Sequence, residues 1–305
     1  MTITALVIDG DLVLCQKTAT DWLPFGLALP TQKDATSNDP TVAQPLVRAA
    51  SSLSYAQLGL LPLSHPLTAV TDRDNQPITA AMSLAFAQEQ QLAIDKTLSF
   101  IPYRLLIANL SAQDCQSLSE AIQLLRWQAQ TRFCSACGGP VAPHRSGERA
   151  MVCLDSTCGH AQYPRIQPCI ITIITRPNPE TGVLQILLAQ HHRHTQRANI
   201  PKSNPLYGLV AGFVEVGESL EQGLRREVFE EVALTVGKIH YMGSQPWPYP
   251  SNLMIGFHAE YESGEIEIEA EELSHAAFFD ITDLPHIPSA GSIAYSMIQE
   301  IIKQA

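Results

Sequence analysis

The stretch that decides the fold of the C-terminal half reads Gly212-Phe-Val-Glu-Val-Gly-Glu218 and, after a short spacer, Arg226-Glu-Val-Phe-Glu-Glu231. It concentrates acidic side chains at Glu215, Glu218, Glu221, Glu227, Glu230 and Glu231. On a helix the last three share one face, and like charges at these spacings cost about 0.2–0.5 kcal/mol per pair. The cluster is therefore either a solvated acidic helix face or a carboxylate cage for a hard divalent cation, which prefers oxygen ligands.

The flanking residues favour the cage. Ser219-Leu-Glu-Gln222 has the pattern of a capping box, which predicts that a helix begins near Ser219. Gly212 and Gly217 bracket a loop that turns sharply, because glycine tolerates positive φ. An apolar ridge at i+4 spacing docks the helix on a core and places the acids beside a buried seam; it consists of Leu220, Leu224, Val228 and Val232.

This loop–helix unit resembles the Nudix box. The matching positions are Gly212, Glu218, Arg226, Glu227, Val228, Glu230, Glu231 and Leu234, and Ala233 stands where the pattern has a glycine. The resemblance makes metal binding the favoured interpretation of the acidic cluster.

The composition restricts the class of protein. The net charge of −11, most of it contributed after residue 132, argues against holding nucleic acid by broad phosphate neutralisation. No apolar run approaches the roughly 20 residues that a membrane span needs, and the N-terminus lacks the pattern of a signal peptide. Seven cysteines, four of them clustered, suit a reducing compartment with a metal site, so the cytoplasm is the expected location.

We predict three domains: an N-terminal α+β domain over residues 1–130, a zinc ribbon over 131–165 and an α/β domain over 166–305. In the first domain the pattern predicts β-like runs at Ala5–Ile8, Leu12–Cys15, Leu67–Val70 and Ser99–Leu110. It also predicts a loop from Thr31 to Pro45 and a helix from Ser111 to about Gln130.

The zinc ribbon is predicted from two cysteine pairs, Cys134/Cys137 and Cys153/Cys158. Pairs separated by the length of a short hairpin are typical of a tetrahedral four-thiolate zinc site. Such a site has no open coordination position, so the zinc is expected to be structural.

In the third domain we expect a mixed sheet between helices, an α/β/α sandwich. The predicted strands are Cys169–Thr175, Val183–Ala189, Lys238–Ser244, Met254–Tyr261 and Ala277–Asp280, and the closing helix is Ser292–Lys303. The histidines of His191-His-Arg-His194 are expected in a polar loop, facing solvent or near phosphate, without a catalytic role.

Downstream of the box lies Ser244-Gln-Pro-Trp-Pro-Tyr-Pro-Ser-Asn252, whose prolines exclude a central strand and whose aromatic rings suit stacking on a base. This segment resembles the signature of the NADH pyrophosphatase (NAD diphosphatase) branch of the Nudix hydrolases, with Tyr249 in place of phenylalanine and Asn252 in place of serine. The zinc ribbon and Tyr163-Pro-Arg165 resemble further marks of that branch.

The resemblance implies a set of site residues. Catalytic Mg²⁺ or Mn²⁺ would be held by Glu227, Glu230, Glu231, Glu272 and the carbonyl of Ala211. Glu218 and Arg226 complete the catalytic set, and Arg226 is expected to pair with Glu218 in preference to contacting phosphate. The implied substrate contacts are Arg104, Glu148, Tyr163, Phe213, Gln245, Pro246, Trp247, Pro248, Tyr249, Pro250, Ser251, Asn252 and Ala294.

The implied reaction is metal-dependent hydrolysis of NADH or NAD⁺ to the nicotinamide mononucleotide and AMP. Either Glu227 or Glu230 is open as the general base. A first alternative is removal of the NAD cap from RNA by the same cleavage. A second is a non-catalytic module that binds nucleotide or nucleic acid. The resemblance also implies a homodimer, and no membrane partner is expected.

Overall fold

The computed structural model describes residues 3–29, 60–71, 77–192 and 203–305. The chain forms two compact units, Met1–Arg165 and Ile166–Ala305. The predicted division of the first unit at residue 130 stays a prediction. The loop expected from Thr31 to Pro45 and the histidine at position 194 lie outside the described residues.

The N-terminal part of the first unit is a sheet with helices, as the α+β prediction requires. Its strands run in the order β3-β2-β1-β6-β5, with β4 on β1 and β7 on β2; β1 and β6 are parallel. The strands are β1 Ile3–Asp9, β2 Leu12–Lys17, β3 Trp22–Pro24, β4 Gly26–Leu29, β5 Leu61–Thr71, β6 Pro77–Ser83 and β7 Leu98–Pro102.

In the described part of this unit, three helices accompany the sheet: α1 Leu84–Glu89, α2 Tyr103–Leu106 and α3 Ala112–Gln130. The predicted strand Ser99–Leu110 is wrong beyond Pro102, where the chain turns into α2. Tyr103 is buried there and its hydroxyl donates to the carbonyl of Cys115 at 3.0 Å, a long-range contact that overrides the β propensity of the run. The predicted helix beginning at Ser111 is confirmed, because the Ser111 side chain caps α3.

The rest of the first unit is a small antiparallel sheet in the order β10-β9-β8. Its strands are β8 Val141–Pro143, β9 Met151–Cys153 and β10 Ala161–Gln162. An isolated β-bridge pairs Phe133 with Pro140, on either side of the turn that carries Cys134 and Cys137.

The second unit is built on a mixed sheet with the order β14-β15-β11-β12-β16, to which β13 adds by pairing with β11. β11 is parallel to β15 and antiparallel to β12 and β13. The strands are β11 Gln167–Pro177, β12 Leu184–His191, β13 Val210–Phe213, β14 Thr235–Trp247, β15 Asn252–Ser263 and β16 Leu273–Asp280.

The helices α4 Leu220–Val232 and α5 Ile293–Gln304 pack on opposite faces of this sheet. Alternate residues of β11 divide between them: Ile170 and Ile174 share a core with α4, and Ile171 and Ile173 share a core with α5. Burying an isoleucine side chain contributes about 1.5–3 kcal/mol, so both faces stabilise the sheet. The predicted α/β/α architecture is confirmed.

The proline-rich segment corrects one strand boundary. The strand predicted to end at Ser244 continues to Trp247, and Pro246 lies within it. This is tolerated because β14 is at the edge of the sheet, where a missing N–H breaks no ladder bond to a second neighbour.

Candidate active site

The acidic loop and helix are joined by a capping box. The backbone N–H of Gln222 donates to Ser219 Oγ at 3.2 Å, and the N–H of Ser219 donates to Gln222 Oε1 at 2.8 Å. The predicted helix start is therefore confirmed. Gly217 has φ 95°, the positive value expected of the loop, because an L side chain would be strained there.

Gly212 serves a different purpose from the one expected, because it does not adopt a positive φ. A Cβ at this position would lie 1.8 Å from Glu227 Cδ. The absence of a side chain lets the carboxylate of α4 pack directly on the backbone of β13.

Arg226 connects three of the six acidic residues, Glu218, Glu227 and Glu230. Its Nε donates to Glu218 Oε1 at 2.7 Å, and its Nη2 donates to Glu218 Oε2 at 3.0 Å. Nη1 donates to Glu227 and Glu230, each at 2.8 Å. Nη2 also reaches the carbonyl of Phe213 at 2.8 Å, which ties the end of β13 to the helix. One guanidinium thus joins three carboxylates and the loop backbone, and the predicted Arg226–Glu218 contact is present.

The carboxylates have different environments. Hydrogen bonds from Arg226 and from the backbone N–H of Glu215 lower the pKa of Glu218 to about 2. Burial raises the pKa of Glu227, an effect that Arg226 opposes and that the negative charges of Glu230 and Glu272 reinforce. A cation bound beside Glu227 would oppose the burial and the like charges that raise its pKa.

Glu231 is buried, at 2% exposure, and does not lie on the surface of the helix as its neighbour Glu230 does. Its Oε1 accepts from the backbone N–H of Ala211 at 3.4 Å, and its Oε2 lies 4.0 Å from His191 Nδ1. The glutamates of α4 therefore differ in solvent exposure, from the exposed Glu230 to the buried Glu231.

The prediction that His191 faces solvent is wrong. His191 ends strand β12, is 1% exposed, and its Nε2 lies 3.3 Å from the carbonyl of Leu209. The signal was the period-2 pattern of the strand: Leu187 and Ala189 belong to the core under α4, and His191 follows in the same alternation. His192 is half-buried, and its Nε2 lies 3.2 Å from the carbonyl of Ala270.

The predicted cation ligands come from three elements. Ala211 is on β13, the glutamates 227, 230 and 231 are on α4, and Glu272 is in the turn before β16, where its carbonyl accepts from the His192 N–H at 2.8 Å. Oxygen donors of this kind suit Mg²⁺ or Mn²⁺. Within the described ranges only the four cysteines form a group of three or more ligand atoms within 4.8 Å, so these acids do not form a compact carboxylate cage. Arg226 holds two of them, Glu227 and Glu230.

The side chains of the proline-rich segment differ in whether they are free to contact a ligand or are already bound to protein atoms. The Gln245 side chain forms two hydrogen bonds with the backbone. Its Nε2 donates to the Gly291 carbonyl and its Oε1 accepts from the Ile293 N–H, both at 2.8 Å. The rings of Trp247 and Tyr249 lie 5.4 Å apart. Asn252 is buried, and its Oδ1 has no hydrogen-bond partner among the residues that the structure describes, which leaves it an acceptor for a ligand.

The remaining predicted substrate positions in this unit differ in exposure. Phe213 is 48% exposed at the end of β13, so its ring is accessible for stacking. Ala294 is buried in the first turn of α5. Pro246 lies within β14, and Pro248, Pro250 and Ser251 lie in or beside the turn between β14 and β15.

The cysteine cluster in the first unit is compact. Cys134 Sγ lies 3.8 Å from Cys158 Sγ, and Cys137 Sγ lies 3.4 Å from Cys153 Sγ. The N–H groups of Ala136 and Gly139 point at the sulfurs of Cys134 and Cys137, each at 3.4 Å. Four convergent thiols with backbone donors suit a structural zinc ion.

Two predicted substrate contacts beside the cluster bind each other. The hydroxyl of Tyr163 donates to Glu148 Oε1 at 3.0 Å, and this hydrogen bond raises the pKa of Tyr163. Both side chains are exposed. Arg104, the third position predicted in this unit, is exposed on α2.

Comparison with known proteins supports these features. Residues 166–301 match the NUDIX domain, and residues 129–163 match the NADH pyrophosphatase zinc ribbon domain. Two curated relatives are NAD-capped RNA hydrolases NudC from Citrobacter koseri and Salmonella paratyphi C, each 42% identical over 187 residues. The match covers 61% of this chain and 66% of each relative, slightly less than two thirds of the relatives' length.

Among solved structures, a NUDIX hydrolase from Nitrosomonas europaea is 22% identical with a TM-score of 0.43. The match covers 57% of the present chain and 91% of the Nitrosomonas europaea chain.

In the part of the chain that the structure describes, no helix combines the length and apolarity needed to cross a bilayer.

Proposed function

We propose, on the premise that the chain joins a Nudix domain to a zinc ribbon of the NADH pyrophosphatase type, that it hydrolyses the pyrophosphate bond of NADH or NAD⁺. The products are the nicotinamide mononucleotide and AMP. The observation that carries the proposal is the contact set of Arg226, which holds Glu218, Glu227 and Glu230 together beside the backbone of β13.

The donor set fits Mg²⁺ or Mn²⁺, with Glu227, Glu230, Glu231, Glu272 and the Ala211 carbonyl as ligands. Such an ion, when bound, polarises a phosphorus–oxygen bond and lowers the pKa of a bound water. Glu227 or Glu230 would accept the proton of the attacking water, because both keep contact with solvent: the Glu230 side chain is 56% exposed and the Glu227 side chain 14%. Glu231 is too buried for that task and would act as a ligand.

The substrate is recognised, in this proposal, by exposed aromatic rings and by unpaired polar atoms. Phe213 offers a face on which a base can stack. Asn252 offers a buried Oδ1 acceptor to an N–H group of the ligand, because burying it without a partner costs free energy. Gln245 would position the start of α5, where Ala294 lies, through its two backbone contacts.

The test is incubation of the purified protein with NADH and Mg²⁺ or Mn²⁺, followed by chromatography of the products. AMP and the reduced mononucleotide should appear in equal amounts, and their absence with either cation would refute the proposal.

Removal of the NAD cap from RNA is the second candidate, favoured by the printed name of the 42% identical relatives. A comparison of kcat/KM for free NADH and for an NAD-capped oligonucleotide ranks the two substrates. A non-catalytic binding module is disfavoured, because an acidic cluster whose charges repel one another would serve no purpose without a cation to neutralise it.

We further propose a homodimer in the cytoplasm. The resemblance supports the dimer. The seven cysteines, none of which forms a disulfide, support the cytoplasm, since a reducing compartment keeps cysteines reduced. Gel filtration with light scattering tests the dimer.

A further inference from the structure

The hairpin between β8 and β9 carries two neighbouring residues with different partners. Glu148 accepts the Tyr163 hydroxyl at 3.0 Å. Arg149 turns to the N-terminal part of the unit, where its Nη2 donates to Ser64 Oγ at 3.0 Å and contacts Glu120 Oε1. One loop thus joins a predicted substrate contact to residues for which the resemblance offers no role.

The partners of Arg149 are themselves held in place. Glu120, on α3, is mostly buried, with a side-chain exposure of 14%. Its two oxygens accept from Ser64: Oε1 from the hydroxyl at 2.7 Å and Oε2 from the N–H at 3.3 Å. We call Ser64, Glu120 and Arg149 the arginine bracket. It anchors the hairpin to both a strand and a helix.

The hairpin tip between these anchors is short. The N–H of His144 donates to the Ala150 carbonyl at 2.9 Å, and the N–H of Ala150 donates to the Glu148 carbonyl at 2.8 Å. The backbone carbonyl of Glu148 is therefore bound by Ala150, and the side chain of the next residue, Arg149, is held by Ser64 and Glu120. A shift of Arg149 carries Glu148 with it.

Glu148 needs such support because its side chain is about half exposed and is held by few contacts. An exposed carboxylate samples several rotamers, and holding its backbone reduces the freedom that ligand binding must remove. We propose that the arginine bracket is a positioning device that orients the Glu148–Tyr163 pair for substrate, which assigns a role to the N-terminal domain. This inference rests on the proposed function.

The experiment uses the full-length, zinc-loaded protein and NADH. Glu120→Ala and Arg149→Ala should each raise KM by about 3- to 10-fold and change kcat by less than about twofold, since the bracket acts on binding and not on the reacting atoms. Glu120→Gln, whose amide oxygen can still accept from Ser64, should raise KM less than Glu120→Ala. Arg145→Ala, which removes a charge from the same hairpin tip, is the matched control.

A double-mutant cycle separates positioning from general stability. In a Tyr163→Phe background, Glu120→Ala should add no further rise in KM, because the bracket acts through the pair already disrupted. Multiplying effects, or a KM for Glu120→Ala equal to that of Arg145→Ala, would overturn the inference. Zinc content should match that of the wild type, whereas Tm should fall modestly, because Glu120→Ala removes the acceptor of Ser64 and of Arg149.

Limited trypsin cleavage after Arg145 reports the mobility of the tip without substrate. Faster cleavage in Glu120→Ala together with an unchanged KM would show that the bracket holds the hairpin without affecting substrate binding. That result would overturn the inference and leave the proposed function intact. A wild-type protein that releases no AMP from NADH would refute the proposed function and the inference with it.

Discussion

Arg226 and Glu218 form a two-point ion pair, Nε to Oε1 at 2.7 Å and Nη2 to Oε2 at 3.0 Å, across the junction between the acidic loop and α4. The two residues lie on opposite sides of the capping box, so the pair closes the loop into a fixed shape. The same guanidinium then holds Glu227 and Glu230. The geometry of the site therefore depends on a planar group with several donors.

Arg226→Lys should lower kcat/KM by about 10- to 100-fold, which corresponds to about 1.4–2.8 kcal/mol. Lysine keeps the charge but cannot reproduce the fork that holds Glu218 and the neighbouring carboxylates. Steady-state kinetics with NADH measure the effect. Arg225→Lys is the control, because Arg225 contacts the carbonyls of Val236 and Gly237 and not the acids. Equal losses in both variants would contradict the assignment.

Glu231→Gln should reduce turnover by about 100-fold or more while the protein stays folded. Glutamine has the same shape, and its amide oxygen can still accept from the Ala211 N–H, but the charge that a cation requires is lost. AMP release, Tm and Mn²⁺ titration test this prediction. Glu221→Gln removes a charge from the exposed first turn of the same helix and should leave turnover unchanged. A melted Glu231→Gln protein would indicate a structural role.

Ala233→Gly should stabilise the protein by about 0.5–1 kcal/mol. Ala233 ends α4 with φ 56° and ψ 24°, in the left-handed region, where glycine has no steric cost. Urea unfolding followed by circular dichroism measures the change. Ala233→Val, at the same site, should be destabilising, and a gain in stability from valine would show that the backbone strain is absent.

Glu218→Gln should make the protein less stable at neutral pH and should change its acid sensitivity. The pKa of Glu218 is lowered to about 2 by Arg226, from an ordinary value of 4.5. A carboxyl group with a lowered folded-state pKa stabilises fully above its unfolded pKa and loses that contribution as pH falls through the folded value. The difference in Tm between wild type and variant should thus be constant above about pH 5 and close toward pH 2. Parallel Tm curves down to pH 2 would contradict this.

The wild-type protein should contain about one zinc ion per chain, and Cys158→Ser should lose most of it. The long spacing of the second cysteine pair leaves Cys158 the least certain ligand in sequence, but its sulfur lies 3.8 Å from that of Cys134. Elemental analysis after gel filtration measures the zinc. Cys115→Ser should retain it, because Cys115 is buried on α3, where burial raises its pKa to about 11. Zinc loss in both variants would point to general unfolding.

Local patterns in the sequence were sufficient for much of the fold. The capping box predicted the start of α4, and the β-branched run of Cys169–Thr175 predicted a strand buried on both faces. These predictions succeed because hydrogen bonds within a helix turn and the alternation of a strand depend on near neighbours. The run after Pro102 failed for the opposite reason, since Tyr103 takes its conformation from a partner on another helix.

The site was predicted less completely than its scaffold. The residue types and the Arg226–Glu218 contact followed from the box, whereas the purpose of Gly212 did not. Its missing side chain admits the Glu227 carboxylate, a contact between β13 and α4 that no local rule describes. The sequence likewise predicts Gln245 as a substrate contact. In the structure its side chain binds the backbone at the start of α5.

The sequence by itself determined the class of this protein: an acidic loop and helix, a four-cysteine ribbon and a proline-bound aromatic segment, each encoded within a few tens of residues. Only the tertiary structure decided that Glu231 and His191 are buried together, and that Arg149 reaches Glu120 and Ser64. These pairs are far apart along the chain. Their meeting depends on how strands and helices pack, because burial and long-range charge pairing are properties of the assembled core and not of a segment.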